Sequence, residues 1–364
     1  MRRLRLFLFQ LGVALIALEA CLRVYNPLPF RVRGDRIVLP VRHVYTFDNS
    51  RAPKLDPITR HTKNSLGFRG PEPPRDLARR RSILTIGGST TECLFLSDGS
   101  TWTDVLARAV ASVDPGAWVN NAGFDGQSTY GHLVLLDSFV AGLKPTMAVF
   151  LVGANDVGLE GATTYDRALT PASDGGGLAH RAAVFAANHS EVASVALNTV
   201  RAVRAQHRGF GHSQVDVRTA PRLVLDASVV DATLDRYRQW VDGFAGRLTA
   251  IVRVCREHGI APVLVTQPAL FGDDVDPATG VPLATVQVNG RGNGALEWRL
   301  LEMYNDATRA VGRRAGVLVV DAAREMPKDS RLFYDFLHYT NEGAAALGAI
   351  VARHVIPRLL APAS

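Results

Sequence analysis

The sequence SILTIGGSTTE at residues 82–92 joins a predicted strand to a sharp turn and a serine. Its first part, 82–86, is short and mostly apolar, and it ends at two glycines with Ser89 directly behind them. Glycines permit backbone angles that other residues avoid and leave room for a ligand. Because a helix is predicted at 104–113, we expect Ser89 just past the carboxyl end of a strand, where open α/β sheets place their chemistry. Taken alone, the segment is equally compatible with a plain glycine turn.

The far end of the chain supplies the groups that a serine nucleophile requires. In LFYDFLHYTNEG at 332–343, Asp335 precedes His338 by three residues. A serine hydroxyl is a poor nucleophile until a base removes its proton, and a histidine serves best when a carboxylate fixes its tautomer. A carboxylate at this spacing can reach Nδ1 of the histidine and leave Nε2 for Ser89. The pair by itself is a weak signal, because such spacings often arise by chance.

Two further loops lie between these ends, and each follows an apolar run. The run at 118–121 leads into AGFDGQST, and the run TMAVFLV at 146–152 leads into GAND. With the Ser89 turn and the Asp335/His338 segment, the chain therefore has four polar or glycine-rich loops, three of which directly follow predicted strands.

These four loops resemble, in the same order, the sequence blocks of the SGNH hydrolases, also called GDSL esterases and lipases. The resemblance implies that Ser89 is the nucleophile and that Asp335 and His338 complete a catalytic triad. It also implies an oxyanion hole formed by the N–H groups of Ser89 and Gly126 together with the side chain of Asn155. The predicted function is therefore hydrolysis of a carboxylic ester.

The resemblance extends over roughly residues 60–360 and has one departure. NSLGFRG at 64–70 is similar to the approach segment of membrane-anchored bacterial members of the family. Block I usually reads GDS, whereas Gly88 stands here at the position of the aspartate. That aspartate is not a triad member, so the departure leaves the activity intact and the substrate preference open.

The fold class is α/β, because predicted strands and helices alternate along the chain. Alternation of this kind indicates a parallel sheet covered on both faces. The resemblance implies a three-layer α/β/α flavodoxin-like fold with a five-stranded parallel sheet in the order 2-1-3-4-5. The predicted strands are 82–86, 117–121, 146–152, 261–266 and 316–320, and the predicted helices lie near 101–113, 131–142, 232–258, 295–314 and 341–360.

The chain is predicted to have three parts, the last of which carries two insertions. The first insertion contains a predicted helix at 190–207, and three interpretations of it stay open: a helix packed on the domain surface, a lid, or a contact with a membrane. The second ends in NGRGNG and is interpreted as a mobile loop near the substrate. The parts are a membrane helix at 1–23, a proline- and arginine-rich stalk at 24–80 and a hydrolase domain at 81–361, with insertions at 160–226 and 269–294.

The amino terminus combines a basic start, MRRLR, with an apolar run at 6–18. These are the first two parts of an export signal. The run is short for a spanning helix, which needs about 20 residues, but it extends through Leu22. We favour an uncleaved anchor with its amino end in the cytoplasm. A signal cleaved after Ala20 and a lipoprotein signal that uses Cys21 stay open, and all three place the catalytic domain outside the cytoplasm.

Composition excludes several other classes. The apolar fraction of 47% and the charged fraction of 21% describe a globular protein with a sizeable core. The net charge of +7 is carried almost wholly by arginine without a basic stripe interleaved with aromatics, so nucleic acid is not an expected partner. No phosphate loop, dinucleotide fingerprint or metal-ligand spacing occurs, so neither a cofactor nor a metal is expected. The three cysteines form no disulfide framework.

The predicted protein is a membrane-anchored, extracytoplasmic serine esterase. The favoured substrate is an acylated glycan, especially one carrying O-acetyl groups on exported or surface polysaccharide. A lipase or lysophospholipase acting on a lipid ester at the membrane would use the same residues. An O-acyltransferase would use the same triad and pass the acyl group to a sugar. A non-catalytic glycan-binding protein would keep the fold, although it would not need Ser89, Asp335 and His338.

Overall fold

A computed structural model describes residues 2–25, 32–33, 36–37, 39–163, 166, 177–206, 212, 214–288, 290 and 292–361. The chain forms two compact units, described separately below. The smaller consists of Met1–Pro40 and Thr164–Gly211, and the larger of Val41–Thr163 and His212–Ser364. Parts of the predicted stalk and of the first insertion, at 26–31, 167–176 and 207–211, lie outside the described residues.

Most predicted helices lie within a few residues of described ones, whereas the helix Leu178–His189 was not predicted. One predicted helix, 232–258, is instead two helices, separated near Trp240, whose ring contacts Tyr237. The break itself contains neither glycine nor proline, so the sequence carries no signal that would divide the predicted helix. The described helices of eight or more residues are α1 (Arg2–Val24), α2 (Trp102–Ala111), α3 (Leu178–His189), α4 (Glu191–Gln206), α5 (Ala227–Arg238), α6 (Val241–Glu257), α7 (Gly294–Ala315) and α8 (Asn341–Leu360), and the shorter ones are Ser89–Glu92, Thr129–Leu135, Ala141–Leu143 and Ala322–Glu325.

The larger unit is built on a five-stranded parallel sheet. The first strand pairs with the second and third, the third with the fourth, and the fourth with the fifth. The order 2-1-3-4-5 expected from the resemblance is therefore confirmed. The strands are β1 (Ser82–Gly87), β2 (Trp118–Asn121), β3 (Met147–Val152), β4 (Ala261–Thr266) and β5 (Leu318–Val320).

Helices cover both faces of the sheet, which explains why its strands are almost wholly buried. On one face, Ile83, Val149 and Val263 share a core cluster with Trp102 of α2 and Leu347 of α8. Helices α6 and α7 pack against each other and against β4. The expected three-layer α/β/α architecture is confirmed, and the carboxyl ends of β1, β2 and β3 meet at one edge.

The larger unit also includes the segment that precedes the sheet and the second predicted insertion. An antiparallel pair of strands, Val44–Asp48 and Ile58–Thr62, precedes β1. In the insertion, short paired strands lie at Gln287–Val288 and Gly292–Asn293. Within the insertion, Asp276 accepts hydrogen bonds from the backbone N–H of Ser330 at 2.9 Å and from its hydroxyl at 2.7 Å.

The smaller unit joins α1 to the junction between α3 and α4. The Glu19 carboxylate accepts hydrogen bonds from the Ser190 hydroxyl at 2.8 Å and from the backbone N–H groups of Glu191 and Val192, both at 3.1 Å. Arg23 donates to the carbonyl oxygen of the last residue of α3 at 2.8 Å. Glu19 of one helix therefore caps the N-terminus of another, satisfying N–H groups that have no partner within α4.

Among the described helices, two are long and apolar enough to cross a membrane. Helix α8 is half buried in the core of the larger unit, where Gly348 lets it approach the backbone of α2 closely. Helix α1 is strongly apolar, and none of its residues is buried. The position and composition of α1 are compatible with a membrane anchor or a signal.

Candidate active site

Ser89 lies where β1 ends and a four-residue helix begins. The glycines before it are required by space rather than by unusual backbone angles. A Cβ atom on Gly87 would lie 2.6 Å from the carbonyl oxygen of Leu151 in β3. The turn therefore packs directly on the neighbouring strand and presents Ser89 at the carboxyl edge of the sheet, with 9% of its surface exposed.

The structure brings Ser89, His338 and Asp335 into one hydrogen-bonded line. Ser89 Oγ lies 2.7 Å from His338 Nε2, and His338 Nδ1 lies 2.7 Å from Asp335 Oδ2. The second oxygen of Asp335 accepts from the backbone N–H groups of Leu337 at 2.8 Å and His338 at 2.7 Å. One carboxylate thus closes the turn and orients the ring, which accounts for the three-residue spacing seen in the sequence.

The environment keeps Asp335 ionised although it is buried. Burial acts to raise the pKa of this carboxyl, but the charge and hydrogen bond of His338 and the two backbone N–H groups outweigh it. The pKa of Asp335 consequently lies below its usual value. An ionised Asp335 holds the proton of His338 on Nδ1, so Nε2 is free to accept the proton of Ser89.

The predicted oxyanion residues lie on the loops that follow β2 and β3. Gly126 has a φ of +75°, in the region that favours glycine. Asn155 donates through Nδ2 to the carbonyl oxygen of Gln127 at 2.8 Å, and its amide group carries a second hydrogen for another acceptor. A Cβ atom on Gly88 would lie 2.3 Å from that Nδ2 atom and 3.1 Å from the Gln127 oxygen. Asn155 therefore adjoins the turn that carries Ser89.

The same contact bears on Gly88, the position at which the resemblance predicts aspartate. The side-chain amide of Asn155 occupies the space that a side chain at position 88 would need. Any larger residue here would have to displace that amide from its hydrogen bond with Gln127. In this chain, Gly88 is thus required by the present position of Asn155.

The loop that contains Asn155 is held by a buried carboxylate. Asp156 accepts from the hydroxyl of Thr129 at 2.5 Å and from Arg247 of α6 at 3.1 Å. Burial raises the pKa of Asp156 to about 6, against the opposing effects of Thr129 and Arg247. The Arg247 guanidinium also lies 3.9 Å from the ring centre of Tyr130, a cation–π distance.

Sequence reasoning missed a second histidine at the site. His212 lies against His338 with 4.2 Å between the ring centres. Its Nδ1 lies 2.9 Å from the hydroxyl of Tyr334, and its Nε2 lies 3.4 Å from Asp125 Oδ1. No motif surrounds His212 in the sequence. Its place becomes visible only when the chain folds.

His212, Asp335 and His338 are also close enough to one another to hold a metal ion. However, both ring nitrogens of His338 already have partners, Asp335 on one side and Ser89 on the other. A metal on either nitrogen would replace one of these hydrogen bonds. The donor set is therefore better suited to proton transfer than to metal binding.

The fold and this arrangement are those of the SGNH class of α/β hydrolases. The sequence model of the GDSL-like lipase/acylhydrolase family matches residues 85–346, so the chain belongs to this family. It is accordingly a carboxylic ester hydrolase by family, as predicted. No curated protein matches the chain.

Several solved structures are similar to the chain at low identity. An acetylxylan esterase, Axe2 from Geobacillus stearothermophilus, is 14% identical with a TM-score of 0.43, over 78% of this chain and 95% of that one. TesA is 16% identical with a TM-score of 0.43, over 77% and 99%. A putative lipolytic protein of the G-D-S-L family from Desulfitobacterium hafniense is 14% identical with a TM-score of 0.40, over 75% and 99%. Identities this low leave the substrate of this chain open.

Proposed function

We propose that this protein is a serine esterase that removes short acyl groups, above all O-acetyl groups, from a glycan outside the cytoplasm. The observation that carries the proposal is the line from Ser89 Oγ through His338 to Asp335, with 2.7 Å at each hydrogen bond. Ser89 lies at the carboxyl edge of the sheet and keeps 9% of its surface exposed.

In the first half of the reaction, Ser89 Oγ attacks the acyl carbonyl carbon while His338 Nε2 takes its proton. Asp335 orients the ring and stabilises the imidazolium. The bond between the acyl carbon and the alcohol oxygen then breaks, and the alcohol leaves with the proton held by His338. In the second half, His338 activates a water molecule, which attacks the acyl-serine and releases the acid.

The negative charge of each tetrahedral intermediate falls on the former carbonyl oxygen. We assign its stabilisation to the N–H groups of Ser89 and Gly126 and to the amide of Asn155. One donor of this kind typically contributes about 3 kcal/mol to transition-state stabilisation. Asn155 is held beside the Ser89 turn by its bond to the carbonyl oxygen of Gln127, so it needs little reorganisation during the reaction.

A lipase or lysophospholipase is the second candidate, and an apolar cluster beside the site favours it. The two residues before His338, Phe336 and Leu337, are partly buried and pack on a cluster that includes Phe271. Val157 and Trp298 pack on the same cluster. An apolar surface of this kind suits an acyl chain longer than acetate.

We also propose that α1 is an uncleaved membrane anchor and that the catalytic unit lies outside the cytoplasm. The basic residues before the apolar run favour a cytoplasmic amino end. Glu19 and Arg23 bind the junction of α3 and α4, and cleavage after Ala20 would remove the cap that Glu19 provides.

The function is tested with the detergent-solubilised full chain, p-nitrophenyl esters from acetate to octanoate, and an acetylated polysaccharide. We expect hydrolysis of acetate and release of acetate from the polysaccharide, with kcat reduced at least about 10³-fold in Ser89→Ala. A preference for octanoate would support the lipase instead. Transfer of the acyl group to an added glycan would indicate an acyltransferase. A folded wild-type chain with no more turnover than Ser89→Ala would refute the esterase proposal.

A further inference from the structure

His212 is the middle member of a second hydrogen-bonded line, which runs from the Asp125 carboxylate to the Tyr334 hydroxyl beside the line that contains Ser89. Asp125 Oδ1 lies 3.4 Å from Nε2 of His212, and the Tyr334 hydroxyl lies 2.9 Å from Nδ1. This second line joins the loop of Gly126 to the loop of Asp335, and the proposed mechanism uses both loops. Asp125 directly precedes Gly126, and Tyr334 directly precedes Asp335.

Further hydrogen bonds hold both ends of this second line in place. The backbone N–H of Asp125 donates to Glu92 at 2.7 Å, and Glu92 forms a fully buried ion pair with Lys63 at 2.9 Å. At the other end, the backbone N–H of Tyr334 donates to the carbonyl oxygen of His338 at 3.0 Å. His212 is thus linked to the fixed backbone of both loops.

The ring of His338 packs against the rings of both His212 and Tyr334. The His212 ring is tilted by 51° to it, with 4.2 Å between centres, and the Tyr334 ring is nearly parallel to it at 5.6 Å. Phe95 meets the His212 ring edge-on at 5.0 Å. This packing restricts rotation of His338 away from Ser89.

The protonation states follow from the neighbours. Burial raises the pKa of Tyr334, so its hydroxyl stays protonated and donates to Nδ1 of a neutral His212. The proton of neutral His212 then lies on Nε2, facing Asp125. Burial acts to lower the pKa of His212, but the hydrogen bond and charge of Asp125, together with the charges of Asp335 and Glu92, raise it above its usual value.

We propose that His212 is a positioning residue of the esterase site, which holds the ring of His338 toward Ser89 and, when protonated, opposes the protonation of that ring. The inference rests on the proposed esterase activity. Two positive charges on adjacent rings repel each other, so the ring that is protonated first keeps the other neutral to a lower pH. Asp125 favours His212 as that first ring.

Other charged and titratable groups face the pair and share in this effect. Asp125 and Glu92 face His212, and Asp335 faces both rings. The Lys54 ammonium also interacts electrostatically with Asp335. Every variant in the test keeps these groups, except that Asp125 is replaced in Asp125→Asn and in the double variant.

The test compares His212→Gln, Asp125→Asn and the double variant with the wild-type full chain. It measures kcat and KM for p-nitrophenyl acetate, and the rate at which a fluorophosphonate probe labels Ser89, from pH 5 to 9. We expect kcat at pH 7 to fall about tenfold in His212→Gln while KM changes less than about twofold. The acidic limb of both profiles should move to higher pH by about 0.5 to 1 unit.

Asp125→Asn should move the acidic limb in the same direction, and the double variant should move it no further than His212→Gln does. His354→Gln is the matched control: His354, on α8, pairs with Glu325, and its replacement should leave both profiles unchanged. Acidic limbs of His212→Gln and Asp125→Asn that both coincide with wild type would overturn the proposal.

The labelling reaction separates the failure of this inference from the failure of the proposed function. If Ser89 is labelled but no ester is hydrolysed, the esterase proposal fails and His212 is still judged by the pH dependence of labelling. If the folded wild-type chain is not labelled at all, His338 does not activate Ser89, and both proposals are overturned. Asp125→Asn supplies the labelling comparison if His212→Gln does not fold.

Discussion

The two glycines before Ser89 occupy space that is needed by other parts of the site. Gly87 packs on the backbone of β3, whereas Gly88 faces the side chain of Asn155. The difference matters, because strand backbone cannot move aside but a side-chain amide can. A substitution at Gly88 therefore tests the position of Asn155 without disrupting the sheet.

We expect Gly88→Ala to lower kcat about 10²-fold, the effect of losing one oxyanion donor, because its Cβ atom would displace the Asn155 amide. The measurement is kcat for p-nitrophenyl acetate, with circular dichroism to confirm the fold. Gly246→Ala on α6 is the control, since nothing lies within 4 Å of its added Cβ atom. It should leave kcat unchanged and stabilise the protein by about 0.5 to 1 kcal/mol. Wild-type kcat in Gly88→Ala would argue against the assigned role of Asn155.

At the scale of secondary-structure elements, hydrogen bonds of Asp156 connect the loop after β3 to α6 and to the helix Thr129–Leu135. Its carboxylate is almost fully buried and depends on Arg247, whose side chain is 11% exposed. A buried ion pair adds little net stability, but removal of one partner leaves the other charge without compensation. The effect should therefore depend on whether Asp156 is ionised.

Arg247→Met should lower the free energy of unfolding by about 3 kcal/mol at pH 8 and by less at pH 5. The sign follows from the carboxyl group. Burial already raises the pKa of Asp156 to about 6, and loss of the guanidinium raises it further, so the folded state is penalised above the unfolded pKa. Urea denaturation at the two pH values measures the difference.

The control for this prediction lies on the same helix. Arg253 pairs with Glu257 on the exposed face of α6 at 2.7 Å. Arg253→Met should change stability by less than about 0.5 kcal/mol at either pH, because exposed pairs contribute little. Equal destabilisation by Arg247→Met at pH 5 and pH 8 would contradict the electrostatic explanation and leave only the lost packing on Tyr130.

At the scale of the whole molecule, the described residues form a catalytic unit and a smaller helical unit that contains α1. The second unit combines the amino terminus with a segment more than 160 residues further along the chain, as the contact between Arg23 and the end of α3 shows. Glu19 of this unit caps α4, so the uncleaved anchor that we propose would keep the cap in place.

We expect the protein isolated from membranes to require detergent for extraction and to retain its amino-terminal residues, as read by intact mass. Leu18→Ala is the positive control, since it creates an A-x-A site before Cys21 and should be cleaved if the chain is exported. A wild-type chain that begins near Cys21 would disprove the anchor, and a lipid-modified Cys21 would indicate a lipoprotein.

Much of this molecule was predictable because its signals are local. Three of the five strands follow from apolar runs that stop at glycine or asparagine turns, and Asp335 and His338 lie three residues apart, a spacing that lets one side chain reach the other. The order of the sheet came from resemblance to a family, since strand order depends on how distant segments pair. Helix ends were less predictable, as the break near Trp240 illustrates.

The sequence by itself thus indicated the α/β class from its alternating strands and helices, and it indicated Ser89, Asp335 and His338 from four loops whose order resembles one family. Tertiary structure alone decided that His212 packs on His338, that Asn155 excludes a side chain at Gly88, and that Glu19 caps α4. These contacts join residues far apart in the chain. Neither partner in such a contact lies in a motif or a hydrophobic period that reflects it, so the sequence alone could not predict the contact.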